Sequence, residues 1–234
     1  MAKLWVKTLN ITSNPSGAAS AARQGNVVMI IDVIDMSTTA EMALELGAIN
    51  IFGASPPEVS VPVTINPEKI GYIAGKKALK HDTGVIVAAE PRIYKNKKTR
   101  MDNSYKAIKG IKRAGGELDE IIPNSGKDID ELADFEGKIV VIVSSAGGVA
   151  YDAAYNYGAP EVITGTVART EKMKGSKPAL KAAKRAIQTA AKYKCGITIV
   201  ASSSNSLEDV LAANFIGQKI IDNGFLQVDV EKEE

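Results

Sequence analysis

Three runs of β-branched residues in this chain each lead into small polar residues, where a helical pattern begins. The runs are Val27–Ile31, Ile139–Val143 and 197–200, and the polar residues that follow are 37–39, 144–148 and 202–206. Each pattern predicts a buried parallel strand, a short loop and a helix N-terminus. Because the first N–H groups of a helix have no partner within it, such a loop suits an anion such as phosphate. A single loop of this kind is also typical of any α/β protein, since Ser and Thr are good N-caps.

The first two of these segments belong to an internal repeat. Residues 25–30 resemble 137–142, and residues 47–53 resemble 158–165. An alanine-rich helical pattern lies between the two matches in each copy, which predicts a βαβ unit with a right-handed crossover. We therefore expect an α/β fold with two related βαβ-containing halves, a mainly parallel sheet and a cleft at the carboxyl ends of the strands.

The expected organisation is a single α/β chain over residues 1–234, with 1–116 and 117–234 as its pseudo-repeat halves. A chain of this length can bury one large core or two packed lobes, and both arrangements stay open. Shorter segments give more local predictions. These are a strand over 59–65, a helix capped by Asn66 with Pro67 at its first position, a helix from about 103 to 114, and a strand over 228–230.

Composition argues against several partners. The chain has 29 Lys+Arg and 27 Asp+Glu residues, a net charge of +2, so no strong field predicts binding to nucleic acid or an anionic membrane. No apolar run approaches the roughly 18–20 residues needed to span a bilayer, and the stretch at residues 1–6 is too short and too quickly followed by polar residues for a signal peptide. The single cysteine cannot form an internal disulfide, which favours the cytoplasm. A homodimer is expected only because symmetric dimers are the commonest assembly.

Several catalytic classes lack the residues that they need. The only histidine, His81, lies in a turn pattern at a helix end, which argues against a Ser-His-Asp triad. Cys195 precedes a strand and lacks the arginine of a cysteine-dependent phosphatase loop, so a core position is expected. The absence of a Cys/His cluster argues against zinc. Neither a P-loop nor a Gly-x-Gly-x-x-Gly fingerprint occurs, so nucleotide binding has no support.

Acidic residues at predicted strand ends favour a site that binds a metal ion through carboxylate oxygens. Asp32 ends the first strand and Glu90 ends the strand Val85–Ala89, while Glu208 and Asp209 open the helix after the third serine loop. The carboxyl ends of parallel strands converge on a crevice, and carboxylates suit Mg²⁺. Glu208 and Asp209 have an alternative role, since acids are favourable in the first turn of a helix. Asp32 is harder to explain in that way, because a buried acid without a partner is costly.

Several motifs occur in an order that is typical of one enzyme family. They are 32–39 followed by 47–48, then 89–92, 102–105, 144–148 and 207–214. On these motifs the chain resembles the 2-phosphosulfolactate phosphatases, which are Mg²⁺-dependent enzymes of coenzyme M biosynthesis. The resemblance covers nearly the whole chain, and ordered motifs are more specific than isolated ones. It implies a Mg²⁺-dependent hydrolase that acts on a small phosphorylated or anionic metabolite.

The strand-end pattern and the resemblance together define a predicted site. The predicted metal ligands are Asp32, Glu90, Glu208 and Asp209, of which Asp32, Glu90 and Glu208 are also the predicted catalytic residues. The residues predicted to bind the substrate or its phosphate are Asp35, Ser37, Thr38, Arg92, Ser145, Gly147, Gly148, Ser203 and Arg169. Mg²⁺ would neutralise phosphate charge and orient the attacking water, and one carboxylate could act as the base.

The chain departs from the family where the substrate would bind. Asp35 stands at the position of a phosphate-pairing arginine, and Ala146 replaces a loop asparagine. A negative charge there disfavours a dianionic ligand, so we expect a substrate other than 2-phosphosulfolactate. Arg92, Arg169 or Lys172 could supply the missing positive charge. The alternatives are a catalytically altered paralogue that binds a small molecule and a different metal-assisted reaction.

Overall fold

The computed structural model describes residues 5–34, 36–92 and 97–227. The strands are β1 (Leu9–Ser13), β2 (Val27–Ile31), β3 (Asn50–Ala54), β4 (Val85–Ala89), β5 (Leu118–Pro123), β6 (Ile139–Val143), β7 (Val162–Gly165) and β8 (Ile197–Ala201). The helices are α1 (Asn14–Arg23), α2 (Met36–Glu45), α3 (Pro67–Lys80), α4 (Lys97–Arg113), α5 (Gly147–Asn156), α6 (Lys177–Tyr193) and α7 (Leu207–Asp222). This element order confirms the α/β class.

The strands form two parallel four-stranded sheets. Sheet I has the order β1-β8-β2-β7, and sheet II has the order β3-β6-β4-β5. Neighbouring strands run parallel throughout. Every residue of the four inner strands β2, β4, β6 and β8 is buried. Burial on both faces explains why these strands are continuous apolar runs rather than alternating ones.

The internal repeat relates the two sheets to each other. The repeat makes β2 equivalent to β6 and β3 equivalent to β7. When β8 is matched in the same way with β4, and β1 with β5, the order β1-β8-β2-β7 of sheet I becomes β5-β4-β6-β3. This is the strand order of sheet II in reverse. In each copy the strand–helix–strand segment passes from one sheet to the other, because β2 and β3 lie in different sheets, as do β6 and β7. Each sheet therefore takes strands from both sides of the predicted 116/117 boundary.

The two faces of sheet I have different neighbours. Val28 and Ile30 of β2 belong to a core that also contains the buried residues of sheet II and of α2, α3 and α5. Met29 and Ile31 point to the other face, where they pack with α6 and α7. The alternation along β2 follows from the period of two in a strand. One continuous core thus joins the two sheets.

The local predictions have mixed outcomes. The start of α3 is confirmed, since Asn66 Oδ1 accepts a hydrogen bond of 3.0 Å from Lys69 N and Pro67 follows it. The predicted strand 59–65 is wrong, because this segment is irregular; Pro62 lacks the N–H that a ladder needs. The predicted helix near 103–114 begins earlier, at Lys97. The predicted strand 228–230 lies outside the described residues.

The helices give no sign of a membrane span. Within the three described ranges, none is long and apolar enough to cross a bilayer.

Candidate functional site

The site lies where the carboxyl ends of the two sheets meet. Asp32 follows β2 of sheet I, and Ser144 follows β6 of sheet II. Asp32 Oδ2 accepts hydrogen bonds from Ser144 Oγ at 3.2 Å and from Gly147 N at 2.8 Å. The two strand ends that the repeat makes equivalent are thus joined by one carboxylate, which is only 4% exposed.

Asp32 also caps α5. Gly147 is the first residue of α5, and its N–H is one of the donors that has no partner within the helix. A Cβ at Gly147 would lie 2.5 Å from Asp32 Oδ2, and a Cβ at Gly148 would lie 2.2 Å from the Ala54 carbonyl oxygen. The two glycines therefore let α5 approach Asp32 and β3 closely. Gly147 was predicted to bind phosphate through its N–H group, but this group donates its hydrogen bond to Asp32.

Glu90 reaches the same loop from the end of β4. Its Oε2 accepts hydrogen bonds from Ser145 N at 3.1 Å and from Ser145 Oγ at 2.9 Å. Its carbonyl accepts a hydrogen bond of 2.9 Å from Asn103 Nδ2 of α4. Asp32 and Glu90 thus bind adjacent residues, Ser144 and Ser145. The structure therefore places these two predicted acids on neighbouring residues of one loop.

The hydroxyl groups of Ser37 and Thr38 form hydrogen bonds within the turn that follows Asp32. The buried Ser37 Oγ accepts a hydrogen bond of 2.9 Å from Asp32 N and donates one of 3.1 Å to the Ile30 carbonyl. Thr38 Oγ1 donates to the Val33 carbonyl and lies 3.1 Å from Thr166 Oγ1. Both hydroxyls, predicted to bind phosphate, have partners inside the protein that fix the turn from β2 into α2.

Asp209 braces the loops after β2 and β8. Its Oδ1 accepts a hydrogen bond from Val33 N and its Oδ2 one from Ser202 Oγ, both at 2.8 Å. It is 2% exposed, whereas its neighbour Glu208 is exposed. Ser203 Oγ accepts a bond of 3.1 Å from Asn205 N within the same loop. Asp209 therefore positions the loop that follows Asp32 through hydrogen bonds that need no metal.

Arg92 borders the loop that follows Asp32. A Cβ at Gly126 would lie 3.2 Å from Arg92 Nη2, 3.8 Å from Thr38 Cγ2 and 3.9 Å from the Ile34 carbonyl oxygen. These groups therefore surround one point beside the 32–38 loop. Asp35, which is also part of this loop, lies outside the described residues.

The other two candidate cations lie elsewhere. Arg169 lines a recess of about 310 Å³ with residues that include Asp128, Asp130 and Lys174. Lys172 Nζ donates a hydrogen bond of 3.2 Å to the carbonyl of Glu45, at the end of α2. Of the three cations that could replace the family arginine, Arg92 is the one that shares a neighbour, Gly126, with the predicted substrate loop.

The four predicted metal ligands do not form one cluster. Within residues 5–34, 36–92 and 97–227, no group of three or more His, Cys, Asp or Glu side chains is arranged to hold a metal ion. Asp32 and Glu90, on neighbouring serines, still offer two carboxylates of the hard oxygen type. This pair fits Mg²⁺, which usually takes one or two protein carboxylates and completes its shell with water and phosphate oxygens.

Two residues near the site were not predicted from the sequence. Thr166 follows β7, and its only sequence signal is its place after a short apolar run. Asn124 follows β5, a strand that was not predicted because its exposed Asp119 and Glu120 interrupt the apolar pattern. Asn124 is fully buried, and its Oδ1 accepts a hydrogen bond of 2.6 Å from Thr39 Oγ1. It fastens the start of α2 to sheet II.

No family model matches the chain, and a search of curated proteins also gives no match. The resemblance to the 2-phosphosulfolactate phosphatases therefore stays a prediction that is based on the motifs themselves.

Proposed function

We propose that this protein is a Mg²⁺-dependent, phosphatase-like hydrolase of a small phosphorylated metabolite. The observation that carries the proposal is the meeting of Asp32 and Glu90, from different sheets, on the adjacent residues Ser144 and Ser145. Carboxylates and hydroxyls at the carboxyl ends of parallel strands are where α/β folds place their ligands.

The roles of the side chains follow from their positions. Asp32 and Glu90 would hold the ion, which supplies charge neutralisation for the phosphate when bound. Glu90 is partly exposed, so it can reach solvent and accept the proton of the attacking water. Arg92, beside the 32–38 loop, would pair with phosphate oxygens through its planar guanidinium. The Ser145 hydroxyl, which binds Glu90, would orient that carboxylate.

Asp35 sets the expected substrate class. A carboxylate in place of the family arginine disfavours a second anionic group at that point of the substrate. We therefore propose a metabolite that carries one phosphate and a neutral or cationic group near Asp35. We also propose that the protein acts in the cytoplasm.

Phosphate release tests the proposal. Small phosphorylated acids, sugars and amino alcohols would be incubated with the protein and Mg²⁺, or with EDTA. We expect release that EDTA abolishes, and a loss of turnover of at least about 100-fold in Asp32→Asn and Glu90→Gln. Glu117→Gln, which removes an exposed acid outside the site, is the matched control. Full turnover in both site variants would reject the assignment.

A binding protein is the second candidate. The observation that favours it is that Asp32 and Asp209 both accept hydrogen bonds from neighbouring loops, as structural acids do. Thermal stabilisation by a ligand of the panel, with no phosphate release under any metal condition, would support this function over the first one.

A further inference from the structure

The exposed face of α7 carries four large apolar side chains, with the exposed polar residues Asn214, Gln218 and Asp222 among them. Leu207, Leu211, Phe215 and Ile221 are 66, 58, 43 and 46% exposed, and we call them the α7 stripe. At 100° per residue they fall within one third of the helix circumference. Ile11 of the edge strand β1, 45% exposed, continues the surface beside Gly217. Four large apolar side chains exposed on one face of a single helix mark an interaction surface rather than scattered exposure.

Charges flank this stripe in a particular layout. Glu208 and Lys219 lie 100° and 120° from Leu207 around the helix, on the same flank, and are about 16 Å apart along its axis. Glu208 is in the first turn of α7 and Lys219 in the last. Lys219 Nζ lies 5.4 Å from the Phe215 ring centroid and 3.0 Å from Asp222 Oδ2. The cation therefore sits at the border of the stripe.

This layout is self-complementary for one arrangement only. When two copies of a helix pack antiparallel about a two-fold axis, each flank meets the same flank of the partner with its ends reversed. Glu208 of one copy then faces Lys219 of the partner subunit, twice in the contact. In a parallel pair the flank would face the opposite flank, and the charges would not meet. The midpoint between Glu208 and Lys219 also places Leu211 against the partner subunit's Phe215.

We infer that α7 packs antiparallel against α7 of a second copy of this chain. Residues 228–234 are a poor alternative cover for the stripe. Residues 228–234 contain four acids and one lysine but only two apolar residues, and burying charges on an apolar surface is unfavourable. A single helix pair is smaller than a standard interface, so the dimer should dissociate on dilution.

Sedimentation velocity over a wide range of protein concentration tests the inference. We expect the wild type to associate into dimers, and Leu211→Glu to raise the dissociation constant about 30-fold or more, because the new charges would be buried against apolar side chains. Leu79→Glu is the matched control, since Leu79 is 50% exposed on α3, away from the stripe. Circular dichroism would verify that both variants are folded.

A charge exchange tests the orientation. Glu208→Lys and Lys219→Glu should each weaken the dimer, because each places like charges opposite one another. The double variant should restore association close to that of the wild type, which only an intermolecular Glu208–Lys219 contact explains. A wild type that stays monomeric throughout, a dimer unaffected by Leu211→Glu, or a double variant as weak as the single ones would overturn the inference.

Discussion

Glu41 of α2 and Asp152 of α5 occupy equivalent positions in the two copies of the internal repeat, and both are buried acids. Glu41 binds Lys181 Nζ at 2.6 Å and Arg185 Nη2 at 2.8 Å on α6. Asp152 accepts hydrogen bonds from Ser55 Oγ at 2.6 Å and from Asn66 N at 2.7 Å, at the two ends of the connection from β3 to α3. Each acid thus holds the chain that follows an edge strand.

Glu41→Gln should destabilise the fold. The change leaves the cations of Lys181 and Arg185 beside a neutral group, and Glu41 is only 1% exposed. We expect a loss of about 1.5–3 kcal/mol in the free energy of unfolding, because two charged hydrogen bonds to a buried carboxylate are lost while the cations stay partly exposed. Urea denaturation would measure it. Glu68→Gln, which breaks the surface pairs with Lys109 and Arg113, should cost much less; an equal loss would contradict the prediction.

Asp152 should make stability fall as the pH rises. Burial raises the pKa of Asp152 above its ordinary value of 3.8, against the lowering effect of its hydrogen bonds to Asn66 and Ser55. The folded state therefore holds the proton more tightly than the unfolded state. The stabilisation is fully present below pH 3.8 and is lost as the pH rises through the folded pKa.

Unfolding free energies of wild type and Asp152→Asn would test this from pH 3.8 upward. We expect the wild type to lose stability relative to the variant as the pH rises. Asp222→Asn should show the opposite sign, because hydrogen bonds from Gln218 and Lys219 lower the pKa of Asp222. Its stabilisation is present above the unfolded pKa and is lost as the pH falls, so this variant is compared with the wild type below pH 3.8. Parallel curves for wild type and Asp152→Asn above pH 3.8, or for wild type and Asp222→Asn below it, would contradict the corresponding assignment.

Gly147→Ala should disturb the site and the fold together. The new methyl group would lie 2.5 Å from Asp32 Oδ2 and 2.9 Å from Met36 Cβ. We expect a loss of about 1–3 kcal/mol, as for other overpacked positions, together with lower phosphate release. Gly137→Ala, where φ is +68° and nothing lies within 4 Å of the new Cβ, should cost about 1 kcal/mol from backbone strain alone. Its phosphate release should not change.

Arg92→Ala should weaken substrate binding. The variant loses the binding free energy of a hydrogen bond between the guanidinium and the phosphate, so we expect KM to rise about 10-fold or more. Arg92→Lys should recover only part of the loss, because an ammonium cannot bind two oxygens in parallel. Arg23→Ala, at an exposed arginine stacked on Tyr157, is the control. An unchanged KM in Arg92→Ala would remove Arg92 from the proposed site.

The inner strands could be predicted from sequence because they are unbroken apolar runs. Val27–Ile31, Val85–Ala89 and Ile139–Val143 have the predicted bounds. Their distribution over two sheets could not be predicted, because hydrophobic periodicity reports burial and not the partner of a strand. The edge strands β1 and β5 were missed, since both carry exposed polar residues.

The site was predictable in position but not in detail. Asp32 and Glu90 were correctly expected at strand ends, because acids that follow buried strands are conspicuous in a sequence. Which donors they bind depends on how two distant strands approach, and no local pattern encodes that distance. The Ser144–Asp32 bond joins residues 112 positions apart. Gly147 looked like a phosphate loop residue for the same reason, although its N–H is donated to Asp32.

The placement of β8 has a consequence for the order in which the protein can be made. Sheet II takes all its strands from residues 50–143, so it can assemble while the ribosome is still translating the rest. Sheet I cannot, because β8 lies between β1 and β2, and both must wait for residues 197–201. Until then their edges are open to pairing with other chains. Sheet I is therefore completed only after β8 has been translated, later than sheet II.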